Sequence, residues 1–262
     1  MTSLVGIVVP TLGDRAELLR LCLSSIRAAG DAHICVVAPV SADLQQFRLD
    51  GLVDQIVEDP GSGLPAAINA AIAALPVHIE YVNWLGDDDL LTPLSLIRAL
   101  EEFKDSSVDF VYGSCDYIDI HGSVIGKNQS GKWAMWLMKY GPDLVPQPGS
   151  LYRRSAFDSV GGLDTTLGWA FDLDLFLRFE QSVSWRYIPD CLAQYRWHDA
   201  TLSTGRRAEM IAEARSVRSR YHGSAVRVAA PMWEVPTAIA VNFAGIVVSR
   251  YSRFRQRNRS RK

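Results

Sequence analysis

Short apolar runs alternate with segments of helical period through the first 110 or so residues. Residues 4–9 read as a strand stopped by Pro10. Asp14-Arg-Ala-Glu17 has the spacing of an acidic capping box, with Leu18, Leu21, Cys22 and Ile26 at helical intervals and Gly30 as terminator. Residues 33–38 and 55–57 read as strands, 64–75 as an Ala-rich helix and 80–85 as a buried strand. Thr92-Pro93 predicts the cap of a helix running to about Phe103, and 109–112 a further strand. This alternation predicts an α/β fold with a mostly parallel sheet flanked by helices. In such sheets ligands bind beyond the carboxyl ends of the strands.

The pattern then becomes less regular. Residues 133–140 predict a short helix and 145–152 a loop leading into a strand. A helix over 172–180, strands over 184–188 and 192–196, and a charged helix over 206–221 follow. The chain has 262 residues, 48% hydrophobic and 21% charged, which excludes wholesale disorder and a small disulfide scaffold. Four scattered cysteines without a CxxC pair fit a reducing cytosol, and the N-terminus lacks the charged region of a signal peptide. No run of about 18 apolar residues predicts a conventional spanning helix.

Charge changes the picture at one end. The net charge is −2, which argues against a nucleic-acid partner, yet residues 250–262 carry seven cations and no acid, leaving −9 on the rest. Ahead of them, residues 235–248 form an apolar stretch of fourteen with Asn242 inside and Trp233 in front. Segment 231–262 fits a helix lying in a membrane interface, giving peripheral contact at an anionic inner leaflet. The same stretch equally fits a helix packed on the core or used in a homodimer.

Candidate chemistry collects at a few turns. Asp87-Asp88-Asp89 follows a buried strand and Gly86; three adjacent carboxylates repel unless a cation or hydroxyl donors occupy the site. Hard oxygens there suit Mg²⁺ or Mn²⁺, although an Asp-rich turn capping the next helix is the plainer alternative. Pro10-Thr11-Leu-Gly-Asp-Arg15 ends the first strand, where backbone amides can receive a phosphate or nucleoside, or simply make a strand–helix turn. Asp172 stands near a helix start with Phe171, Leu175 and Arg178 close to its face, as an N-cap or a general base. His198, after Tyr195-Arg-Trp, is a metal or diphosphate ligand or a structural histidine.

Taken in order, these segments resemble glycosyltransferase family 2. The resemblance rests on the Val-Val-Pro10-Thr11 strand end, Gly61-Ser-Gly-Leu-Pro-Ala-Ala-Ile-Asn69, and Trp84-Leu-Gly-Asp-Asp-Asp-Leu-Leu-Thr-Pro93. It continues through Gly149-Ser-Leu-Tyr to Gly-Gly-Leu-Asp164, Asp172-Leu-Asp-Leu-Phe-Leu-Arg178, and Tyr195 to Ser203. It implies a GT-A fold over 1–205, with 206–262 as a C-terminal helical appendage and basic tail. It also implies an inverting, hexosyltransferase-like enzyme that uses Mn²⁺ or Mg²⁺ and a nucleotide-diphosphate sugar. Pro10, Thr11, Arg15, Asp87 and Arg178 would then contact the donor, and Asp88, Asp89 and His198 the metal. Asp172 would be the base for a saccharide or lipid-linked acceptor, as in cell-surface polysaccharide or glycolipid synthesis at the cytoplasmic face of the membrane. Two departures stand out: Ala38-Pro-Val-Ser41 lacks the acid that usually follows the second strand, and Gly86 replaces the first Asp of the DxD segment. Other functions compatible with the residues are a non-catalytic nucleotide-sugar or glycan-binding protein, and a metal-dependent phosphoesterase or nucleotidyltransferase.

Overall fold

A computed structural model describes residues 3–129, 131–197, 204–230 and 232–233. The N-terminal half runs β1 (Val5–Pro10), α1 (Ala16–Ala29), β2 (His33–Ala38), α2 (Gln45–Leu49), β3 (Gln55–Glu58), α3 (Leu64–Ala74) and β4 (Tyr81–Trp84). Then come β5 (Leu90–Leu91), α4 (Ser95–Glu102), β6 (Phe110–Ile118), β7 (Val124–Asn128) and α5 (Ala134–Leu137). A 3-10 turn over Gln147–Gly149 leads into β8 (Ser150–Arg153), α6 (Arg154–Ser159), α7 (Phe171–Ser182), β9 (Trp185–Arg196), α8 (Thr204–Arg220) and α9 (Ser224–Ala229).

The strands form one curled sheet in the order β3-β2-β1-β4-β8-β6-β9-β5, with β7 on β6. β3, β2, β1 and β4 are mutually parallel, and β6 is parallel to β9. The reversed strands are β8 between β4 and β6, β5 on β9, and β7 on β6. The chain moves outward from β1 to β3, then returns over α3 to place β4 on the other side of β1. That reversal opens a crevice at the carboxyl ends of β1 and β4, where an α/β sheet binds its ligand.

Because helices cover both faces, the strands are apolar on both. Ile7, Val9, Ile34 and Val36 point into a core with Leu19, Leu23, Ile26 and Phe103. Val8, Cys35 and Val37 point into the other, built from Ile68, Ile72, Phe110, Tyr152, Phe176 and Phe179. α8 belongs to this second core: Val217 is fully buried there, and Ala214 and Tyr221 pack against it.

Several local expectations are corrected. The capping box at Asp14–Glu17 does not form; α1 begins after Arg15 with no side-chain cap, and Arg15 is drawn to the aspartates instead. Thr92 does not cap α4, which starts after Leu94 in a left-handed turn (φ 63°). Its hydroxyl donates to the Cys191 carbonyl at 2.6 Å, because sheet pairing with β9 claims it first. The two strands expected at 184–188 and 192–196 are one, β9, and the strand expected at 109–112 continues to Ile118. The short elements β5, β7, α2 and α9 carry too little periodicity to be seen in the sequence.

Candidate active site

β1 and β4 bring the first two sequence signals together. The Thr11 amide donates to the Val37 carbonyl at 3.0 Å and the Leu85 amide to the Val8 carbonyl at 2.9 Å, so both strand ends are pinned. The Thr11 hydroxyl then donates to Asp87 Oδ2 at 2.6 Å and accepts the Gly13 amide at 3.0 Å. Arg15 bridges two carboxylates, pairing with Asp87 Oδ1 and, at 2.7 Å, with Asp88 Oδ2. Repulsion among the three aspartates is thus relieved by one guanidinium, one hydroxyl and, for Asp89, a backbone amide.

Asp89 faces the other way. Its Oδ1 accepts the Arg196 amide at 2.8 Å, and the residue is only 5% exposed. Burial, then the Asp88 charge, pushes its carboxyl well up, with the Arg196 N–H opposing. The buried Arg196 side chain donates to the Asp88 carbonyl at 2.8 Å and to the carbonyls of Asp119 and Ile120 at 2.8 and 3.0 Å. β9 therefore staples the aspartate loop to the β6–β7 turn. The bond from the Arg196 amide ties one oxygen of Asp89, expected as a metal ligand, to β9. Burial raises Asp87 as well, against the Thr11 bond and the Arg15 charge.

Gly86 shows why this chain lacks an acid there. A Cβ at residue 86 would lie 2.9 Å from Asp89 Oδ2 and 3.4 Å from Asp88 Oδ1. Asp89 cannot swing aside without losing the Arg196 amide. Gly86→Ala is expected to lower the unfolding free energy by about 1–3 kcal/mol; a denaturant midpoint equal to wild type would refute the packing argument.

Asp172 lies in the first turn of α7 and is half-buried. Its Oδ1 accepts the Leu173 amide at 2.8 Å. Burial raises its pKa to about 6, against bonds from the Leu173 and Asp172 amides, with the Glu213 charge adding to the rise. Its charge reaches Tyr195 on β9, whose phenol is pushed up by burial and then by Asp89, Asp88 and Asp172 in turn. The same tyrosine thus lies within electrostatic reach of both the aspartate loop and Asp172. Asp143, from the loop before the 3-10 turn, is also within reach of the Asp172 charge.

Arg178 is not part of this crevice. Its Nε and Nη2 hold Asp174 at 2.9 and 2.8 Å, and its Nη1 donates to the carbonyls of Val160 and Gly162 at 2.6 and 2.7 Å. The guanidinium expected to contact the donor is thus engaged with Asp174 and the 160–162 turn. His198 lies outside the described residues, as does most of the segment 231–262. Pro10, at the tip of β1, borders the crevice beside Thr11. The acid absent after β2 has a neighbour instead: Asp59, just beyond β3, donates its amide to the Ala38 carbonyl at 2.9 Å. Sequence reading gave Tyr195, Arg196, Asp143 and Glu213 no individual role; only Tyr195 and Arg196 carried a signal, as part of a motif.

Among the described residues no group of three or more His, Cys, Asp or Glu side chains could hold a metal ion. Asp88 and Asp87 still fit a hard divalent cation of the Mg²⁺ or Mn²⁺ type, which binds through one or two carboxylates and takes its other ligands from water and substrate phosphates. Among the described residues no helix is long and apolar enough to cross a membrane.

Comparison with known proteins accords with this geometry. The mannosyltransferase PcManGT from Pyrobaculum calidifontis, solved with GDP-Man and Mn²⁺, has a TM-score of 0.60 at 18% identity, over 93% of this chain and 75% of that one. S. aureus TarS 1–349 gives a TM-score of 0.59 at 13% identity, over 83% of this chain and 64% of that one. The same TarS fragment with UDP-GlcNAc gives 0.60 at 12%, over 82% and 65%. The chain thus spans somewhat under two thirds of TarS 1–349 in these two superpositions, and no curated protein matches it significantly. Likenesses at this identity establish the GT-A fold, a curled and mostly parallel sheet flanked by helices. Residues 6–161, more than half of the chain, match the family model for glycosyl transferase family 2, and the chain belongs to that family.

Proposed function

We propose that the protein transfers a sugar from a nucleotide-diphosphate donor to an acceptor hydroxyl with inversion at the anomeric carbon. The observation that carries this reading is the aspartate loop held by Thr11 and Arg15 beyond the carboxyl ends of β1 and β4, with Asp172 near enough that its charge, like the loop's, acts on Tyr195. Asp87 and Asp88 would hold a divalent ion, Mn²⁺ or Mg²⁺, whose chemistry is to neutralise charge developing on the departing diphosphate. Thr11 and Arg15 line the donor side, Arg15 with a guanidinium able to exchange a carboxylate for a phosphate. Asp172 accepts the acceptor's proton as the new C–O bond forms and the bond to the diphosphate breaks. A carboxyl at about 6 is ionised at neutral pH yet basic enough to receive that proton. One base suffices for direct displacement, and no covalent sugar intermediate is needed.

A saccharide acceptor is supported by Trp169, which is 39% exposed three residues before Asp172. The neighbours solved with UDP-GlcNAc and GDP-Man make UDP and GDP sugars the first donors to try. A thermal-shift screen of UDP-, GDP- and dTDP-sugars with and without Mn²⁺ tests the reading. A donor at 100 times its dissociation constant adds about 2.7 kcal/mol of stability; no shift with any donor and metal would count against the site.

The basic tail supports peripheral attachment at the cytoplasmic face, next to a lipid-linked acceptor in cell-surface glycan synthesis. Each cation near an anionic surface contributes on the order of 1 kcal/mol. The full chain is expected to sediment with phosphatidylserine-containing vesicles and to be released by salt. A chain ending at Trp233 that sediments equally well would reject this attachment.

A further inference from the structure

The clamp on the base comes from α8, beyond the residues that match the family model. Glu213 accepts three consecutive backbone amides: Gly168 on Oε2 at 3.0 Å, and Trp169 and Ala170 on Oε1, both at 2.7 Å. These residues form the turn immediately before α7, which has no side-chain cap of its own. Glu213 therefore does from another helix what an N-cap residue does locally: it satisfies donors that the helix start leaves unpaired. Although burial works against it, these three bonds hold the Glu213 carboxyl below its ordinary range.

α8 is itself fixed. Val217 is buried in the core, the Tyr221 hydroxyl donates to Asp174 Oδ1 at 3.2 Å, and Arg220 pairs with Asp164 at 3.1 Å. Asp174 is in turn held by Arg178, so α7 and α8 share one ionic seam two residues from the base.

We propose that Glu213 is a positioning residue for the base: its carboxylate fixes the 168–170 turn that aims Asp172 into the crevice, and its negative charge stands behind Asp172. The proposal rests on the reading of Asp172 as the base. The other groups facing Asp172 are Asp143 from the loop before the 3-10 turn and Tyr195 from β9, with Arg218 of α8 facing Asp143. Glu213 is the neighbour whose charge acts to raise Asp172.

The test needs no substrate. The full chain, labelled with ¹³C at the aspartate carboxyls, is titrated by NMR, with the Asp172 signal assigned by its loss in Asp172→Asn. Wild type is expected to show a midpoint at about 6. Glu213→Gln keeps one of the two accepting oxygens and removes the charge, which favours ionised Asp172, so the midpoint falls below 6. Glu213→Ala also removes the acceptor, and hydrogen exchange at Gly168, Trp169 and Ala170 is expected to speed up by about tenfold or more. Glu209→Gln, on the exposed part of α8, is expected to change neither. A folded Glu213→Ala variant in which neither the Asp172 midpoint nor the exchange at 168–170 moves, or equal changes in Glu209→Gln, overturns the positioning role and leaves the base assignment standing. Full transfer activity in Asp172→Asn overturns the base assignment, while the titration and exchange still report the Glu213 contact.

Discussion

Replacing Asp172 by asparagine is expected to cut sugar transfer by about 10²–10⁴-fold, the usual contribution of a positioned general base. Donor affinity should survive, because the donor contacts lie across the crevice on the β1 and β4 loops. The side chains are nearly isosteric, and an amide oxygen can still accept the Leu173 amide that Asp172 holds at 2.8 Å. Stability is therefore expected to change little, and the loss falls on the chemical step. The pH profile carries the same signature. Asp172 works only when ionised, so with its pKa raised to about 6 the rate should fall tenfold per pH unit below that value and level off above it. Measuring kcat and donor affinity separately, across the acid range, checks both statements. Undiminished turnover in the variant would move the base elsewhere. A chain that binds donors tightly and never turns over, before or after substitution, would instead be a nucleotide-sugar binding protein.

The second large effect is expected at Asp88. Asp88→Ala should abolish metal-dependent stabilisation by the donor and lower kcat/KM by about 10³-fold, since a bound divalent ion contributes several kcal/mol at a developing charge. Asp88 is singled out from its neighbours by geometry. Asp89 is committed to the Arg196 amide, and Asp87 is held by both Thr11 and Arg15. Asp88 is fixed through its carbonyl by Arg196, while its side chain, 12% exposed, meets Arg15 at the crevice edge. Its carboxylate can change partner without disturbing β9. Arg15 is expected to leave Asp88 when the ion binds, which Mn²⁺ titration in the presence of donor can follow by paramagnetic broadening. Donor binding by Asp88→Ala that still strengthens with Mn²⁺ as in wild type would show that the ion is held elsewhere.

Much of this protein was legible as sequence because local chemistry specified it. Alternating strand and helix periods announced the parallel half of the sheet, and Pro10 and Gly30 marked a strand end and a helix end through backbone constraints that need no partner. Five short segments in order, from Pro10-Thr11 to Tyr195-Arg-Trp-His198, were enough to suggest the family, because each is a contiguous turn whose residues act together.

The rest was decided by contacts between residues far apart in the chain. Asp87, Asp88 and Asp89 are indistinguishable as a run of three acids. Only the folded chain, with the Arg196 amide and guanidinium arriving on β9, ties Asp89 to β9 and leaves Asp87 and Asp88 to Arg15. Arg178 reads as a free cation on the same helix as Asp172, yet its guanidinium bonds Asp174 and the Val160 and Gly162 carbonyls. Glu213 carries no motif at all: it is an acid on a charged helix until α8 folds back and sets it against three amides before Asp172. Sequence by itself determined the longer elements, the family resemblance and the chemical types available, because period, turn and motif are local. Tertiary structure alone decided which acids are buried and which partners each one meets, because burial and charge depend on neighbours that sequence distance conceals.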